Sequence, residues 1–578
     1  MNKWKKSPHR DPHAPTTGNP VLAPTLPLWR SKLLLAIIFL AFAALLGRTF
    51  WVQIVNHDFY IEQGQRRYQR TIELDATRGR IVDRHGAMLA VSLTTYEIWA
   101  TPKLVDEAAF GPLAKLLNVS AADLQRRLAA DKQFVLIKRQ VDADTAARLN
   151  RLGLAGLTQI ADSKRFYPEG EAAAHVVGFT DIEDKGQEGV ELAANALLSG
   201  LAGQREVIRD RLGRVISETR PLVPAQNGAT VQLTIDRRIQ QLAYAQLKAA
   251  VEKHNAEAGS VVVLDARNGE ILALANWPAF DPNDRARLTG RQLRNRALVD
   301  TFEPGSTIKP LVVALAIDEG KVSPQTLIDT APGAYRIGPN VVHDTSDHGR
   351  ITVAEALQKS SNVALAKLAL NLPAETIWTK YQQCGLGRAP ELTFPGVASG
   401  KVRPFKRWRP IEQATMAYGY GLSASLLQIA QIYTAYAGDG TMHPATLLLD
   451  TGPADGTNTS RAGRAGQRVT RPATAAAIRS MLEMATGDGG TGRAATIEGY
   501  RVGGKTGTAR KQIGAGYAKN RYRALFVGMA PMSAPRLIVA VMIDDPAGRS
   551  FYGGTVAGPV FSSVAGGALQ LLGVPPDV

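Results

Sequence analysis

The first feature in the pattern of apolar and polar positions is an uninterrupted apolar run near the N-terminus. Residues 33–47 include no charged or strongly polar side chain, and apolar character resumes after Arg48. A helix of about 20 residues crosses the hydrocarbon core of a bilayer, so this run predicts a transmembrane helix. The preceding residues 1–30 are rich in Pro, His and Lys and have no apolar period, which predicts a disordered tail.

Alternating apolar positions in the second half of the chain predict a sheet. Residues 259–265 alternate as a strand, residues 267–269 form a turn, and residues 270–276 run back, which is a hairpin pattern. Helical patterns follow, and three more strands are predicted after them, at residues 500–510, 524–530 and 537–544. We therefore predict an α+β fold in which a five-stranded antiparallel sheet is flanked by helices.

Length and charge limit the possible classes of protein. The 578 residues are enough for two or three domains, and residues 60–225 mix short strand and helix patterns without a plausible catalytic set. The net charge of +17 suits an anionic membrane surface or an acidic polymer. Nucleic acid is not expected as a partner, because the sequence has no zinc spacing, no RNA-binding aromatic signature and no long basic run. The single cysteine, Cys384, excludes an intrachain disulfide, and we expect it to be a small buried apolar residue.

Charges flanking the apolar run predict its orientation. Six basic residues precede the run against one acidic residue, Asp11. Basic residues stay on the cytoplasmic side, so we expect a cytoplasmic N-terminus and an exported C-terminal part. A cleaved signal peptide is the alternative, but the lead-in is long and no small-residue cleavage site follows the run. We therefore expect an uncleaved anchor.

The candidate chemistry begins at Ser306, which stands three residues before Lys309. On a helix these two positions share a face, so the amine can reach the hydroxyl as a base reaches a nucleophile. Pro304 and Gly305 predict a turn that releases a helix, and Pro310 requires this helix to begin at or just before Ser306. Alone, such a pair is common on surface helices.

Two further groups of residues make the pair specific. Ser360 and Asn362 follow about 50 residues later in a polar break between helical patterns, where both can project toward one cleft. Some 140 residues further on, Lys505, Thr506, Gly507 and Thr508 follow one another on a predicted strand. Ser-x-x-Lys, Ser-x-Asn and Lys-Thr-Gly in this order are the signature of penicillin-binding proteins and class A β-lactamases.

Other motifs add to the resemblance. Two runs before the catalytic region, residues 78–86 and 167–191, resemble the non-catalytic pedestal of class B penicillin-binding proteins, although His85 replaces a common Asn. Residues 418–422, 490–495 and 551–561 are similar to those of the division-specific FtsI type. The resemblance covers roughly residues 33–575.

This resemblance implies a D,D-transpeptidase that needs no metal or organic cofactor. Ser306 would attack the bond between the two D-alanines of a peptidoglycan stem peptide. Lys309 would be the base, kept neutral by desolvation and by Lys505. The other implied roles are proton relay for Ser360, holding of the substrate amide for Asn362, and substrate binding for Thr506, Gly507 and Thr508. The backbone N–H groups of Ser306 and Thr508 would form the oxyanion hole.

The implied organisation has four parts: a disordered cytoplasmic tail (1–30), a transmembrane anchor (31–55), a pedestal related to dimerisation domains (56–228) and a transpeptidase domain (229–578). The expected location is the inner membrane at the division site, with the catalytic domain in the periplasm. Expected partners are stem peptides, β-lactams, the membrane, a FtsW-type glycosyltransferase and other divisome proteins.

Three alternatives remain at this point. An elongation-type transpeptidase has the same chemistry. A β-lactamase shares the three motifs but needs a water activated for deacylation, and a scaffold or antibiotic sensor keeps the fold without the reaction. Residues 451–469, which carry turn formers and no apolar period, are expected to form a mobile surface loop outside the site.

Overall fold

A computed structural model of the chain describes residues 28–129, 132–209, 215–449, 465–514 and 516–578. The predicted tail therefore lies outside the described residues except for its last three, and so does most of the predicted 451–469 loop. The chain forms two compact units. The first comprises Met1–Leu74 and Gly203–Pro224, and the second comprises Asp75–Ala202 and Ala225–Val578.

The first unit contains the apolar helix. It runs from Leu28 to Phe50 and continues as a π-helical turn over Trp51–Val55, so it begins before the apolar run itself. None of its residues is buried, and among the described residues it is the one helix long and apolar enough to cross a membrane. A second helix, His57–Tyr68, follows. The unit also holds a three-stranded antiparallel sheet of Gln69–Leu74, Gly203–Arg209 and Val215–Val223.

The second unit begins with residues 75–202, which make up most of the segment predicted as the pedestal. Its five-stranded sheet consists of Ile81–Val82, Met88–Ala100, Val135–Asp142 and Leu157–Phe166 from this segment, and of Val231–Gln232 from beyond the predicted bounds. Its longer helices are Phe110–Leu117, Ala121–Leu128 and Ala143–Arg151. These helices pack on the long strand Met88–Ala100 around a small apolar core that includes Ile98, Leu113 and Leu124.

One buried carboxylate joins the motifs of the pedestal segment. Glu191 is fully buried, and each of its carboxylate oxygens accepts a 2.7 Å hydrogen bond, one from Arg78 Nε and the other from Arg165 Nε. Arg78 also donates to the carbonyl oxygen of Asp184 at 2.8 Å. A buried ion group of this kind tolerates the loss of no member, because the remaining charge would be unpaired. The Arg-Gly, Arg-Phe-Tyr-Pro and Gly-x-Glu segments therefore hold the pedestal together.

The predicted catalytic sheet is present with all five strands antiparallel. Their spatial order is Ile271–Trp277, Ala258–Asp265, Leu537–Asp544, Gly516–Ala530 and Gly503–Ile513. Gly503–Ile513, named here the edge strand, has a neighbour on one side only. The predicted α+β fold is thus confirmed, and the main difference is that Gly516–Ala530 begins before the predicted strand at residues 524–530.

Both faces of this sheet are covered by helices, which agrees with the prediction of a sheet flanked by helices. Every residue of Ala258–Asp265 is buried. Val261 and Val263 belong to one apolar cluster, with helices Arg237–Lys253 and Gly558–Leu571, whereas Val262 and Leu264 belong to another. Strands covered on both faces have near-continuous apolar sequences rather than alternating ones.

The other elements fill the space around the sheet and the pedestal. The remaining helices are Ala174–Val177, Gly189–Ala193, Asn195–Ser199, Gly290–Leu293, Arg296–Val299, Lys309–Asp318, Val353–Gln358, Asn362–Leu370, Ala374–Gln383, Pro410–Met416, Leu426–Ala437, Pro472–Met484 and Gly553–Val556. Short strands pair as Leu327–Asp329 with Arg350–Thr352, Ala334–Ile337 with Asn340–His343, Lys401–Val402 with Leu422–Ser423, and Thr441–Met442 with Gln467–Arg468.

Candidate active site

Ser306 lies at the start of a helix, close to where Pro310 requires the helix to begin. A 3₁₀ turn spans Gly305–Ile308, and the α-helix Lys309–Asp318 continues it with Pro310 in its first turn. Proline is tolerated there because the N–H it lacks has no partner within the helix. Within residues 302–310, Ser306 alone is not fully buried. The fold therefore presents this hydroxyl and hides its neighbours.

Backbone contacts hold the serine turn in place. Gly305 has φ +54°, and its N–H donates to the carbonyl oxygen of Gly419 at 3.2 Å. A Cβ on Gly419, which has φ +87°, would stand 2.1 Å from the oxygen of Gly305, so only glycine fits. On the other side, the buried hydroxyl of Tyr433 donates to the carbonyl oxygen of Thr307 at 2.7 Å. These contacts fix Ser306 against two separate segments.

Lys309 contacts the Ser360–Asn362 turn. Its Nζ donates to the carbonyl oxygen of Ser360 at 2.5 Å, to the hydroxyl of Ser360 at 3.2 Å and to Asn362 Oδ1 at 2.7 Å. The expected contact with the Ser306 hydroxyl is not among the hydrogen bonds of the described residues. The amine is instead directed at three oxygens of one turn, which hold it away from its own helix. The structure thus brings Lys309, Ser360 and Asn362 together beside Ser306.

Asp344 positions the Ser360–Asn362 turn, and the sequence analysis missed it. Its carboxylate accepts hydrogen bonds from the N–H of Asn362 at 2.5 Å, the N–H of Val363 at 3.0 Å and the Ser361 hydroxyl at 2.6 Å. A carboxylate is favourable there, because the first N–H groups of helix Asn362–Leu370 have no partner within the helix. Ser360, with φ +62°, occupies a left-handed conformation that is costly for a serine. Asp344 thereby stabilises the bend that turns Ser360 toward Lys309.

We expect Asp344→Ala to slow acylation by a β-lactam by about 10²-fold, because misplacing a catalytic group by roughly 1 Å costs that much. The free energy of unfolding should fall by about 1–3 kcal/mol for the lost hydrogen bonds. Stopped-flow acylation and thermal unfolding would measure the two effects. The matched control is Asp347→Ala in the same loop, where the exposed carboxylate accepts one backbone N–H. Equal effects of the two variants on acylation would contradict the role of Asp344.

The edge strand carries the second lysine of the site. Lys505 is fully buried, and its one hydrogen bond within the described residues is long, 3.4 Å from Nζ to the carbonyl oxygen of Thr506. Thr506 shares a 2.8 Å hydroxyl–hydroxyl bond with Thr491, and the Thr508 hydroxyl accepts the N–H of Gly553 at 3.0 Å. Gly507 packs on Thr307, since an added Cβ would lie 2.9 Å from Thr307 Cγ2. The edge strand therefore lies directly against the serine turn.

Burial of two amines changes their protonation. Desolvation lowers the pKa of Lys505 to about 7. Desolvation also holds the pKa of Lys309 well below its usual value; the charge of Lys505 lowers it further, and Asp344 opposes the shift. An amine with a lowered pKa is neutral for more of the time near pH 7, which a general base requires. The expectation that Lys309 loses its charge through burial and Lys505 thus has a physical basis here.

Signals for the missed residues were weak. Asp344 follows a short hairpin strand, Asn340–His343, and belongs to no spaced motif. Thr491 lies in the Gly-Thr-Gly run that the sequence analysis used only for resemblance. Gly419 also belongs to such a run, and the glycine itself could have suggested a positive φ at this position. A contact with residues far away in sequence, however, does not follow from local pattern.

Comparison with known families assigns most of the chain after residue 72. The family described as the penicillin binding protein transpeptidase domain matches residues 259–566. The family described as the penicillin-binding protein dimerisation domain matches residues 73–233.

Relatives of known name extend over nearly the whole chain. A protein named probable peptidoglycan D,D-transpeptidase PenA, from Neisseria meningitidis serogroup A, is 44% identical over 555 residues, which cover 95% of this chain and 93% of that one. The peptidoglycan D,D-transpeptidase FtsI of Escherichia coli K12 is 38% identical over 558 residues, 95% of this chain and 93% of that one. A solved structure of penicillin-binding protein 3 from Mycobacterium tuberculosis, complexed with aztreonam, is 30% identical with a TM-score of 0.69, covering 88% of this chain and 98% of that chain.

Proposed function

Because the chain belongs to the class B penicillin-binding proteins and is a peptidoglycan D,D-transpeptidase, we propose that it acts through an acyl-enzyme on Ser306 and serves the division septum. One observation supports the acyl-enzyme: the buried amine of Lys309 lies within hydrogen-bond distance of Ser360 and Asn362, beside the partly exposed Ser306. Lysine is the base and serine the nucleophile of this arrangement.

In the acylation step, neutral Lys309 takes the proton of the Ser306 hydroxyl, directly or through Ser360. The Ser306 oxygen forms a bond to the carbonyl carbon between the two D-alanines. The C–N bond then breaks, and the proton passes through Ser360 to the leaving D-alanine amine. Contact between base and nucleophile commonly forms only with substrate present, so its absence here is compatible with this role.

The edge strand would hold the donor peptide. Its free side can pair with an extended peptide by strand addition. Thr506 and Thr508 offer hydroxyls to the terminal carboxylate, Gly507 allows close approach, and Lys505 supplies a cation when protonated. The N–H groups of Ser306 and Thr508 would stabilise the oxyanion, and each such donor contributes roughly 10²–10³ in rate.

In the second step an acceptor amine attacks the ester carbonyl. The bond from carbon to the Ser306 oxygen breaks, the proton of the amine reaches Lys309, and the hydroxyl of Ser306 is restored. No residue in the described site is placed to activate a water as Lys309 is placed beside the serine. We therefore expect acyl transfer to prevail over hydrolysis, which separates this function from that of a β-lactamase.

We propose the domain order given by the sequence: anchor 31–55, pedestal 56–228 and transpeptidase domain 229–578. The one apolar helix that could cross a membrane among the residues the structure describes supports a single-pass anchor, and the flanking basic residues support a cytoplasmic N-terminus and a periplasmic catalytic domain. A FtsW-type glycosyltransferase and other divisome proteins are the proposed partners, by similarity to the FtsI type.

The topology predicts the result of proteolysis. Protease added to intact spheroplasts should digest the catalytic domain and leave only a short cytoplasmic and membrane fragment, because basic residues keep the N-terminus inside. A cytoplasmic reporter protein should stay intact as the control. Protection of the catalytic domain, or a mature N-terminus after residue 47, would contradict the topology.

A fluorescent fusion tests the septal role. We expect fluorescence at midcell during division and filamentation when Ser306→Ala is the only copy. The Ser306→Ala fusion should still reach midcell, which separates loss of chemistry from loss of localisation. Fluorescence along the side wall, with rounding of the cells on loss of activity, would instead favour the elongation-type role.

A further inference from the structure

A buried carboxyl group lies three residues before Ser306. Glu303 is 8% exposed, and its Oε1 accepts hydrogen bonds from the N–H of Gly421 at 2.7 Å and from the hydroxyl of Tyr517 at 3.1 Å. Its other oxygen, Oε2, is buried and has no hydrogen-bond partner among the described residues. In a buried carboxylate both oxygens normally accept hydrogen bonds, because a buried oxygen without a donor costs free energy. The absence of a hydrogen-bond donor at Oε2 therefore requires an explanation.

The groups around Glu303 do not neutralise it by contact. The cation that faces it is Arg523, which lies 3.3 Å from Asp544 and over the ring of Phe302, 5.7 Å from the centroid. Burial raises the pKa of the Glu303 carboxyl, and the Gly421 N–H, the Tyr517 hydroxyl and Arg523 lower it in part. Within the described parts of the chain the carboxyl thus has no direct cationic partner, in contrast to the doubly paired Glu191 of the pedestal.

Aromatic rings stand beside the carboxyl. Tyr517 and Tyr420 have ring centroids 6.0 Å apart, and Tyr418 lies 5.9 Å beyond Tyr420. A carboxylate near aromatic rings can attract a cation through an ion pair, and an accessible ring face adds the attraction of its quadrupole. Tyr517 is 47% exposed near the tip of the hairpin that the edge strand begins, so movement of this side chain would open the buried carboxyl to a ligand from that side.

The carboxyl is fixed relative to the nucleophile. Phe302 exchanges two 3.0 Å backbone hydrogen bonds with Ala424, and Gly305 is tied to Gly419. Three residues span at most about 10 Å, so Oε2 lies within reach of a peptide whose carbonyl is at Ser306. Transpeptidation supplies cations of the right kind, because its acceptor is an amine that is mostly protonated near pH 7, and a donor peptide can carry a side-chain amine.

From this geometry we infer that Glu303 is a substrate-binding residue whose free oxygen receives an ammonium group of a stem peptide. The inference rests on the proposed acyl-enzyme at Ser306 and adds a specificity element to it. The ammonium belongs either to the side chain of the donor peptide or to the acceptor. A charge-assisted hydrogen bond of this kind corresponds to a preference of at least about tenfold.

The test compares wild type with Glu303→Gln, which keeps the acceptor for Gly421 and removes the charge. In the donor arm, acylation is measured with the thioester of an acyl-Lys-D-Ala peptide and with the same peptide acetylated on the lysine side chain. In the acceptor arm, the acyl-enzyme made from the acetylated donor partitions between water and a lysine-containing acceptor peptide. Each rate is divided by the same protein's rate with benzylpenicillin, which has no ammonium group.

If the donor supplies the ammonium, wild type prefers the free-amine donor by about tenfold or more and Glu303→Gln loses that preference. If the acceptor supplies it, the donor preference is absent and the ratio of transfer to hydrolysis falls by a similar factor in the variant. Either result supports the inference. Unchanged ratios in both arms would overturn it, as would equal losses with the free and acetylated peptides. Glu498→Gln, an exposed carboxylate in the same domain, is the matched control and should change neither ratio.

A second measurement needs no variant. On the wild-type protein the ammonium preference should disappear as the pH falls through the titration of Glu303, whose facing groups are Tyr420, Tyr517 and Arg523. The preference is a ratio of two rates, so the general slowing of acylation by protonation of Lys309 affects both rates and cancels. A preference constant from pH 8 to pH 4 would overturn the inference. Failure of benzylpenicillin to label Ser306 would instead overturn the proposed acyl-enzyme, so the two failures are distinguishable.

Discussion

A labelled β-lactam is expected to attach covalently to Ser306, and Ser306→Ala is expected to abolish the labelling. The strained lactam resembles the D-alanyl-D-alanine bond, and its leaving group stays tethered after the ring opens. With no water activated in the described site, the adduct should persist for many minutes. Mass spectrometry of the tryptic peptide would locate it, and thermal unfolding would show that the variant still folds.

Lys309→Ala should slow the same labelling by roughly 10²–10⁴-fold, the usual effect of losing a general base. Lys367→Ala is a suitable control, because this lysine lies on helix Asn362–Leu370 and its amine bonds a distant carbonyl, that of Asp329, at 2.5 Å. Rapid loss of label with turnover of free drug would point to a β-lactamase. Labelling that survives in Ser306→Ala would remove the serine from its proposed role.

Lys505→Met is expected to make the protein more stable and nearly inactive. Lys505 is fully buried with one long hydrogen bond, so replacing its amine with an apolar group of similar length should raise the free energy of unfolding by about 1–4 kcal/mol. Acylation should fall by about 10²–10⁴-fold, because Lys309 regains its proton and the substrate carboxylate loses a cation. Lys511→Met on the same strand is the control. Lys511 forms ion pairs with Glu257 and Asp544, so removing its amine should lower the free energy of unfolding.

The pH dependence of stability gives the same prediction an independent check. The pKa of Lys505 is about 7 in the folded protein, against about 10.4 in an unfolded chain. Between these values the unfolded state binds more protons, so wild-type stability should rise with pH across this window. The part of that rise due to Lys505 should be missing in Lys505→Met. Chemical denaturation at pH 7 and pH 10 would show it, and an identical slope in both proteins would contradict the buried, deprotonating amine.

The sequence pattern predicted the five-stranded sheet and the apolar helix, and the three motifs were recognised from their residues and spacing. Both were possible because periodicity and short motifs are local properties. The capping box at Thr352 and Glu355 is local in the same way: the hydroxyl accepts the Glu355 N–H and the carboxylate accepts the Thr352 N–H. Local pattern did not distinguish a strand covered on one face from one covered on both, as Ala258–Asp265 shows. That distinction depends on which helices return to the sheet.

Long-range contacts account for what the sequence could not predict in the site. Lys309 was expected to reach Ser306 along its own helix, yet the acceptors that hold it come from a turn more than fifty residues away. Asp344 and Gly419 act on that turn and on the serine turn through contacts that no local period encodes. The unpaired oxygen of Glu303 likewise becomes visible only when all neighbouring donors are known.

The free side of the edge strand has a consequence for antibiotic resistance. A peptide bound by strand addition is recognised through its main chain, which is the same whatever side chains it carries. A drug that imitates the main chain of the stem peptide uses the hydrogen bonds the substrate uses. A substitution that distorts Gly503–Ile513 enough to reject the drug therefore also weakens the natural reaction. Mutations that escape the drug at lower cost to growth should accumulate in the surrounding segments, where the drug's own side groups make contacts that the peptide does not.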